Sequence, residues 1–560
     1  IRQTLLADVS AVKRERLHLK AADAISRRYS HDLEAQAGDL AYHLSQAGHF
    51  TDRASLVRYL TIAGDRAFDA AAFDDAVKHF EHALSLIPAG DQLRGGQLQE
   101  RLAMMQRSIG RWDEALRTMN KAMDRYEALG RAEDVGRLGW AMVYQLVWTA
   151  RLVEAVQVGQ RALAALADTV SADKARLMSA LGFAISLSGD YAAATGAFDQ
   201  ARALAEQVGN ARALADVLHM ETFHHFGYCE LPQAIDVGLR AAEIFEQDGA
   251  LWDLCSVHGF VVYEDGTLPN RQLPASLGDK TLDSAERLGH LGAAFLVLSD
   301  RIRRAAILGD LSKVEALGPQ IVDITERGGL PWHYIGHVYQ GLAAHWRGNA
   351  DHAEMELRRA VELEPPTSYA GQSIALLAWQ LAQQGRTAEV MELFDSAQSQ
   401  SRLPSPDRVN SIGSWNCMLG FAEAFYLCGL HDQAAALSAQ VERLLELGRR
   451  WTALDGRLVE TRAGLVAASA RRWNEAERHF AAAREIAEQM PSWLELADLG
   501  RLEARMLLER ADSGDHARAA GLLEHALAAY RAFGMPAYAA EAEALLRQAR
   551  GWSASPITPR

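Results

Sequence analysis

The sequence lacks the features of membrane-spanning, secreted and nucleic-acid-binding chains. No apolar run approaches the ~18 residues that a membrane span needs, and the first residues do not have the layout of a signal peptide. Four cysteines among 560 residues show neither CxxC spacing nor regular pairing, which predicts buried thiols in a reducing compartment. The net charge of −14 repels a nucleic-acid backbone, and only Lys13–Arg16 (KRER) forms a basic cluster. We therefore expect a cytoplasmic protein that binds neither nucleic acid nor membrane.

Catalytic motifs are also missing. The sequence contains no GxxxxGK[ST] phosphate loop, no GxSxG, no HExxH and no kinase motif set, so we predict a non-enzymatic chain without a cofactor. His219, His224, His225 and Cys229 are the best candidates for metal ligands. Only His225 and Cys229 have the i, i+4 spacing of a helical metal site, and His219 points away from His225. We predict no metal, and histidines that lie in the interior or at its rim.

What the chain has is a repeated helical pattern. Ala76, Phe80 and Ala83 lie at i, i+4 and i+7, on one face of a helix that Pro88 ends. The two alanines let a neighbouring helix approach closely, and the large residue fills the space between them. This small–large–small signature recurs at Ala115/Met119/Ala122, Ala155/Gly159/Ala162, Ala194/Phe198/Ala201, Ala234/Gly238/Ala241, Ala353/Leu357/Ala360, Ala476/Phe480/Ala483 and Ala519/Leu523/Ala526, with blurred copies near Leu277, Val314, Val390 and Ala434.

The spacing of the signature predicts the fold. Successive copies are 37 to 44 residues apart, which is the length of two helices and two turns. One helix pair cannot bury its apolar face alone, whereas a stack of pairs can. We therefore predict an all-α protein, an α-solenoid that winds as a right-handed superhelix of helix pairs. Glycines between the helices suit left-handed C-caps that reverse the chain: Gly110, Gly189, Gly309, Gly348, Gly385 and Gly429.

Breaks in this rhythm predict the domain organisation. Because the sequence starts in the middle of a helical pattern and without Met, we expect it to be part of a longer protein. Two prolines within 265–276 lengthen one turn, and Ser and Pro are frequent near residue 400. The predicted segments are a helical lead-in (1–54), a main solenoid (55–397), a Ser/Pro linker (398–408), C-terminal repeats with a capping helix (409–550) and a disordered tail (551–560).

The Gly-x-aromatic-x-x-Ala…Ala pattern resembles the tetratricopeptide repeat. In that family small residues at position 8 of the first helix, and at positions 20 and 27 of the second, permit close packing. With Ala76, Ala194, Ala353 and Ala476 at position 20, the residues at position 8 are Gly64, Gly182, Gly341 and Gly464. The period of about 40 exceeds the family's 34, which implies longer helices or loops.

The two ends of the sequence resemble a more specific class. IRQTLLADVSAVKRERLHLKAADAI, followed by DLAYHLSQAGHF and YLTIAGDRAFDAAAFDDAVKHFEHAL, is similar to the junction in bacterial STAND-class signalling ATPases. There a nucleotide-binding domain and a winged helix lead into a helical-repeat sensor. ALAAYRAFGMPAYAAEAEALL is similar to the end of such sensors. The resemblance implies a parent protein of the LuxR/maltose-activator type or one headed by a class III adenylate or guanylate cyclase, and it places no catalytic residue on this chain.

The repeat family also implies where a ligand would bind. In such arrays positions 2, 5, 9, 12 and 13 of the first helices line the concave surface. This register gives a set of aromatic and charged candidates: Arg137, Trp140, Tyr144, Trp148, Arg176, Phe183, Asp216, His219, Phe223, Phe226, Arg303, Trp346 and Trp379, with Tyr263, His345 and Tyr426 beside them. Such side chains can stack on a ligand and orient it. The alternative is that these aromatics pack between long helices and never contact solvent.

Two functions remain open from the sequence. The first is a sensor and scaffold that binds a small effector or peptide in the concave groove and so regulates the upstream ATPase or output domain of the same polypeptide. The second is a pure protein–protein interaction scaffold that binds through its outer face and ends, without a small ligand.

Overall fold

The structure is a computed structural model that describes residues 10–70, 72–108, 111–167, 169–266, 273–452, 454–490 and 492–551. Across these ranges the chain forms α-helices joined by short turns and contains no strand, which confirms the predicted all-α class. The predicted tail 551–560 lies outside the described residues except for Gly551, as do residues 1–9 of the lead-in and residues 267–272 of the lengthened turn.

The helices follow one another along the whole described chain. In order they are α1 Ala11–Arg28, α2 Ala37–Gln46, α3 Arg53–Asp69, α4 Phe73–Leu86, α5 Gln92–Ser108, α6 Trp112–Ala128, α7 Ala132–Trp148, α8 Leu152–Ala165, α9 Ala172–Leu187, α10 Tyr191–Val208, α11 Ala211–Gly227, α12 Leu231–Asp248, α13 Leu251–Asp265, α14 Ala275–Leu288, α15 Leu291–Leu308, α16 Leu311–Arg327, α17 His333–Trp346, α18 Ala350–Leu363, α19 Gln372–Gln383, α20 Thr387–Ser399, α21 Ile412–Leu427, α22 His431–Ala435, α23 Ser438–Glu446, α24 Val459–Ser469, α25 Trp473–Gln489, α26 Trp493–Arg510, α27 Asp515–Phe533 and α28 Pro536–Ala549. A short 3-10 helix covers Gly48–Phe50.

The small–large–small signature packs each helix pair as predicted. Ala76, Phe80 and Ala83 of α4 are fully buried, and a Cβ added to Gly64 of α3 would lie 2.8 Å from the Phe80 ring. No residue larger than glycine therefore fits at position 64 without moving that ring. The same close approach joins Gly182 to Phe198 (3.4 Å), Gly341 to Leu357 (2.8 Å) and Gly464 to Phe480 (2.7 Å). The chain is thus an all-α solenoid of tetratricopeptide-like helix pairs.

Five of the six predicted turn glycines adopt the left-handed conformation that reverses the chain. Their φ values are +97° at Gly189, +74° at Gly309, +83° at Gly348, +71° at Gly385 and +71° at Gly429. Side chains rarely adopt this backbone region, so glycine is the residue that ends these helices without strain. Gly110 lies outside the described residues.

The chain divides into two compact units. Unit 1 comprises Ile1–Tyr144 and Gln157–Leu177, and unit 2 comprises Gln145–Val156 and Met178–Arg560. In unit 1 the apolar core runs through successive helices, with Leu40, Leu60, Phe80 and Leu102 each at most 4% exposed. Consecutive helices therefore shield one another's apolar faces, as a stacked array requires. The predicted division at residues 398–408 remains a prediction.

Unit 2 differs because its interior contains whole helices that are buried on every side. All residues of α24 are buried, including Glu460 and Arg462, and α19 and α21 are buried along almost their full length. Segments far apart in sequence meet there. The Tyr369 hydroxyl donates to the Phe223 carbonyl oxygen at 2.8 Å, and the Tyr339 hydroxyl donates to that of Leu454 at 2.8 Å.

One non-helical segment lies deep inside unit 2. The interior loop, 448–452 and 454–458, lies between α23 and α24, and an isolated antiparallel bridge joins Trp451 to Leu458. Trp451 and Leu458 are at most 2% exposed. The inner faces of the first helices in unit 2 therefore contact other parts of the chain. The sequence left two arrangements open for these faces, a groove in contact with solvent and packing between helices.

Candidate functional site

The predicted site residues fall into two groups with different surroundings. Arg137, Trp140, Tyr144 and Arg176 belong to unit 1 and are half-buried. The other nine belong to unit 2, where Trp148 is half-buried and the remainder are buried: Phe183, Asp216, His219, Phe223, Phe226, Arg303, Trp346 and Trp379.

In unit 1 the first helices α3, α5 and α7 line a polar groove of about 720 Å³, called here the basic groove. Its lining side chains include five arginines and three carboxylates: Arg58, Arg94, Arg101, Arg131, Arg137, Asp65, Glu100 and Asp134. Arg101 donates to Asp65 at 2.5 Å, and Arg137 donates to Glu100 at 3.0 Å. The basic groove thus carries excess positive charge within a chain of net charge −14.

The aromatic residues of this group lie beyond the arginines on the same helix. Trp140 and Tyr144 follow Arg137 along α7, with their ring centroids 6.0 Å apart. The Arg176 guanidinium lies 5.9 Å from the Trp140 ring centroid, which is within the range of a cation–π contact. The predicted register therefore brings charge and aromatic surface together in unit 1.

In unit 2 aromatic rings line a space of about 80 Å³, called here the aromatic chamber. The predicted residues Trp148, Phe183, Phe223 and Phe226 all line it. Other residues complete the wall: Phe260, Tyr263, Phe295, Leu296, Trp332, Tyr334, Ile335, Tyr369, Gln372, Ile412, Asn416 and Leu454. Phe223 is the central contact, because its ring stacks on Phe183 at 4.8 Å and meets the edge of Trp148 at 5.4 Å.

The chamber wall is almost entirely apolar, and none of the described residues that line it carries a charge. Its principal polar groups are the amides of Asn416 and Gln372, where the Asn416 Nδ2 donates to Gln372 Oε1 at 3.2 Å. Burial raises the pKa of the Tyr334 and Tyr369 phenols well above their ordinary value, so both remain neutral. This arrangement suits an uncharged flat body held by ring contacts and oriented by one or two amide hydrogen bonds.

The remaining predicted residues of unit 2 are held in interior contacts away from the chamber. Arg303 donates to the Tyr263 carbonyl oxygen at 2.8 Å and to Asp300 at 3.1 Å. The Trp379 indole N–H donates to Glu423 at 3.0 Å, whereas Trp346 is 1% exposed. None of these three lines the aromatic chamber. The prediction that they contact a ligand remains a prediction.

Histidines of α11 are satisfied by hydrogen bonds in the interior. His224 lies 2.9 Å from the Ser186 hydroxyl and 3.0 Å from that of Thr195, and burial lowers its pKa to about 4. His219 contacts the Ser256 hydroxyl at 3.3 Å, and burial lowers its pKa to about 3. Both rings are therefore neutral at pH 7.

His225 behaves in the opposite way. Burial opposes its charge, but hydrogen bonds to Glu221 and Glu230 raise its pKa to about 9. Within the described ranges, no group of three or more His, Cys, Asp or Glu residues is placed to hold a metal ion. Likewise, no helix in the described part of the chain is long and apolar enough to cross a membrane.

Sequence reasoning missed the chamber residues that come from outside the first helices. Trp332 and Tyr369 lie in or next to turns, and Leu454 lies in the interior loop. The repeat register covers only helical positions, so it could not include them. The unusual run of Trp332, His333 and Tyr334 after Pro331 was the available signal.

The chain resembles known proteins only weakly. No protein-family model and no curated protein matches the chain. It is similar to a chain of the APC/C hetero-tetramer Cut9–Hcn1, with 12% identity, a TM-score of 0.38, and coverage of 88% of this chain and 96% of that one. It is also similar to yeast Tom70, with 14% identity, a TM-score of 0.24, and coverage of 89% and 97%. These scores are too low to carry an argument, so the repeat assignment rests on the helix pairs themselves.

Proposed function

We propose that this chain is a non-catalytic sensor and scaffold, and that a small effector binds in the aromatic chamber of unit 2. One observation carries the proposal: aromatic rings from helices and turns far apart in sequence converge on a single space. A well-packed interior leaves few voids larger than a water molecule. A space of about 80 Å³ with an apolar wall is far larger than one water molecule needs, and it is about half of the ~150 Å³ cavity that binds benzene, so a ring would enter with a shift of the wall side chains.

The chemistry of the wall defines the effector class. With uncharged, mainly aromatic surroundings, desolvating a charged body inside the chamber would be costly. A flat aromatic or branched apolar body has no charge to desolvate there, and it gains ring contacts with Phe183, Phe223 and Phe260. The amides of Gln372 and Asn416 would select ligands that carry a matching polar substituent.

Indole is the probe. Its binding to the full chain is measured by calorimetric titration and by its effect on thermal unfolding. Leu296→Phe adds volume to the chamber wall and should abolish saturable indole binding while the fold is retained. Trp140→Leu on α7 of unit 1 is the matched control and should bind indole like the wild type. The absence of saturable binding by the wild type, or equal binding by Leu296→Phe, would end the proposal.

An upstream output module is the second part of the proposal. The segments that resemble STAND-class proteins, IRQTLLADVSAVKRERLHLKAADAI and ALAAYRAFGMPAYAAEAEALL, support a parent protein in which this chain regulates an ATPase. An effector does so only by binding one arrangement of the parent more tightly than another. The residues encoded before Ile1 provide the test. A phosphate-loop ATPase with a cyclase or DNA-binding domain is expected there, and any other neighbour contradicts this part.

The basic groove of unit 1 favours a second candidate function, a scaffold for an acidic peptide. Its three carboxylates each pair with an arginine of the groove, whereas Arg58 and Arg94 have no ion-pair partner among the described residues. These two cations would attract a Glu-rich extended segment.

Fluorescence anisotropy of a labelled Glu-rich peptide tests the scaffold function. Charge reversal at both sites, Arg58→Glu with Arg94→Glu, should abolish a binding that weakens with added salt. Arg117→Glu on the exposed side of α6 is the control and should bind as the wild type does. Equal binding by the doubly reversed variant would exclude the groove as the docking surface.

A further inference from the structure

Two amide side chains lie in the otherwise apolar wall of the aromatic chamber. Gln372 and Asn416 both line the chamber, and each is 5% exposed. They hydrogen-bond to each other, with Asn416 Nδ2 donating to Gln372 Oε1 at 3.2 Å. Transfer of an amide into apolar surroundings costs free energy unless its polar atoms have hydrogen-bond partners. The mutual hydrogen bond satisfies only one polar atom of each side chain.

The second polar atom of each amide is open. Gln372 Nε2 and Asn416 Oδ1 form no hydrogen bond with any described residue. Neither atom is sealed inside the protein, in contrast to the indole nitrogen of the preceding residue, Trp415. Because both side chains line the chamber and are otherwise buried, the open donor and the open acceptor face the chamber.

This donor–acceptor pattern does not depend on which amide atom is oxygen and which is nitrogen. If the two atoms were exchanged in both side chains, Gln372 would donate to Asn416, and one donor and one acceptor would again remain. A carbonyl oxygen on a ligand would satisfy the open donor, and an N–H group would satisfy the open acceptor. The amide pair therefore matches a ligand that carries both groups and no charge.

The amide pair is held by closely packed backbone at the starts of two helices. Gln372 is the first residue of α19, and the Gly371 N–H immediately before it donates to the Glu364 carboxylate at 2.9 Å. The start of α21, the helix that carries the second amide, lies against the same segment. There the Gly413 N–H donates to the Ser368 carbonyl oxygen at 3.2 Å. Side chains on such fixed elements bind a ligand with little ordering cost.

We propose that this amide pair binds an uncharged amide group of the effector, so that the ligand of the aromatic chamber is a small lactam or a ring-bearing carboxamide. This inference rests on the proposed function. The carbonyl oxygen of the ligand would accept from Gln372 Nε2, and its N–H would donate to Asn416 Oδ1. The remainder of its ring would contact Phe223 and the other aromatic side chains of the wall.

Other ligand classes leave part of the amide pair unsatisfied. A carboxylate has only acceptors, so the Asn416 oxygen would stay unpaired, and the charge would be costly to desolvate against an apolar wall. An ammonium group has only donors and would leave the Gln372 nitrogen unpaired. A hydrocarbon ring would satisfy neither atom. Buried polar groups that a ligand leaves unpaired lower its affinity, so the pair selects for an amide.

Two small rings of the same size test the inference in the wild type. 2-Pyrrolidinone carries the N–H and the carbonyl oxygen, whereas cyclopentanone lacks the N–H. Calorimetric titration into the full chain should show that 2-pyrrolidinone binds about tenfold or more tightly, because cyclopentanone leaves the Asn416 oxygen unpaired. Equal affinities, or no binding of 2-pyrrolidinone, would overturn the inference. This comparison needs no variant, so it decides the inference even if a substitution impairs folding.

Removal of both amides supplies the second test. Gln372→Met combined with Asn416→Leu replaces the pair with apolar side chains of similar volume. The affinity ratio of 2-pyrrolidinone to cyclopentanone should fall to about one, while the indole binding expected of the chamber is retained. Gln380→Met is the matched control. It removes a buried amide of the same helix that lies outside the chamber wall and donates to the Ala350 carbonyl oxygen at 3.3 Å, and it should keep the wild-type ratio.

The outcomes distinguish this inference from the proposed function. If indole binds the wild type but 2-pyrrolidinone has no advantage over cyclopentanone, the amide role fails and the chamber remains a ligand site. If neither indole nor 2-pyrrolidinone binds, the proposed function fails as well. A preference for 2-pyrrolidinone that persists in the doubly substituted variant would place the lactam at another site and overturn the inference.

Discussion

The two units use the same helix pair and treat its inner face in opposite ways. In unit 1 the first helices α3, α5 and α7 present paired charges to a groove, and Arg101 and Asp65 are each nearly half exposed. In unit 2 the corresponding faces are buried against the interior loop and against distant helices. The small residues of the signature set how a pair packs. Whether its inner face is solvated or buried depends on which other segments of the chain pack against it.

Because of this difference, an ion pair contributes differently to stability in the two units. An ion pair in the basic groove is solvated and contributes little to stability. In unit 2 the interior loop brings Arg457 to within 3.1 Å of Glu423, 3.0 Å of Glu495 and 2.6 Å of Asp498, all at most 5% exposed. Such a network is costly to assemble and more costly to break, because each loss leaves the other members unpaired.

Removal of one carboxylate from this network should give the largest contrast between the units. Glu423 contacts the Trp379 indole, Arg457 and Arg462, so Glu423→Gln should lower the free energy of unfolding by about 3 kcal/mol or more. Glu100→Gln, which removes the partner of the half-exposed Arg137, should cost less than about 1 kcal/mol. Urea unfolding curves measure the free energy of unfolding of both variants. Equal losses would show that burial does not make the ion pairs of unit 2 more important for stability than those of unit 1.

Two glycine-to-alanine changes should give the next largest contrast. At Gly413 of unit 2 a Cβ would lie 2.4 Å from the Ala370 carbonyl oxygen, and the backbone cannot yield, so we expect a loss of about 3 kcal/mol. At Gly95 of unit 1 the Cβ would meet only the flexible end of Arg125, at 2.2 Å. Gly95→Ala should therefore be neutral or stabilise by up to about 1 kcal/mol through helix propensity. The midpoint temperature of thermal unfolding should fall for Gly413→Ala and stay the same or rise for Gly95→Ala. A Gly413→Ala protein as stable as the wild type would contradict the close approach of Gly413 to the Ala370 carbonyl oxygen.

Buried histidines should make unit 2 sensitive to acid. Burial lowers the pKa of His290 and His345 to about 4, so they stay neutral in the folded state while the unfolded chain takes up protons below pH 6.5. Stability from these groups is complete above pH 6.5 and falls progressively toward pH 4, by up to roughly 2 kcal/mol for each histidine at pH 5.

His225 should lower the folding stability of unit 2 at alkaline pH. Its pKa of about 9 means that the folded state holds a proton that the unfolded chain releases above pH 6.5, so stability declines from pH 6.5 to 9. The urea midpoint should be greatest near neutrality. His345→Gln, which can still contact the Tyr538 hydroxyl, should reduce the loss at pH 5, whereas His352→Gln at an exposed position should not. An unchanged profile in His345→Gln would refute the assignment.

Local pattern was enough to predict the helix pairs. Gly64, Gly182, Gly341 and Gly464 each face the large residue of the following helix, as the register required. These are contacts between neighbours in sequence, and small residues at fixed spacing specify them directly. The register also selected Trp148, Phe183, Phe223 and Phe226, which meet around one chamber although they come from three different helices.

The same pattern could not show what closes the chamber. Tyr369, Leu454 and Asn416 reach it from more than 140 residues along the chain from Phe223, through contacts such as the hydrogen bond from Tyr369 to the Phe223 carbonyl. Arg457 looks like any surface arginine in the sequence, yet three carboxylates surround it. Nothing in local spacing distinguishes these residues from solvent-exposed ones.

The sequence by itself determined the helices, the left-handed turns and the packing of each pair, because helical periodicity and the sizes of neighbouring side chains act over a few residues. Only the tertiary structure decided which inner faces remain in contact with solvent, where the interior loop lies, and that Gln372 and Asn416 meet in the wall of the aromatic chamber. Those outcomes depend on contacts between segments remote in sequence, whose energies no local pattern encodes.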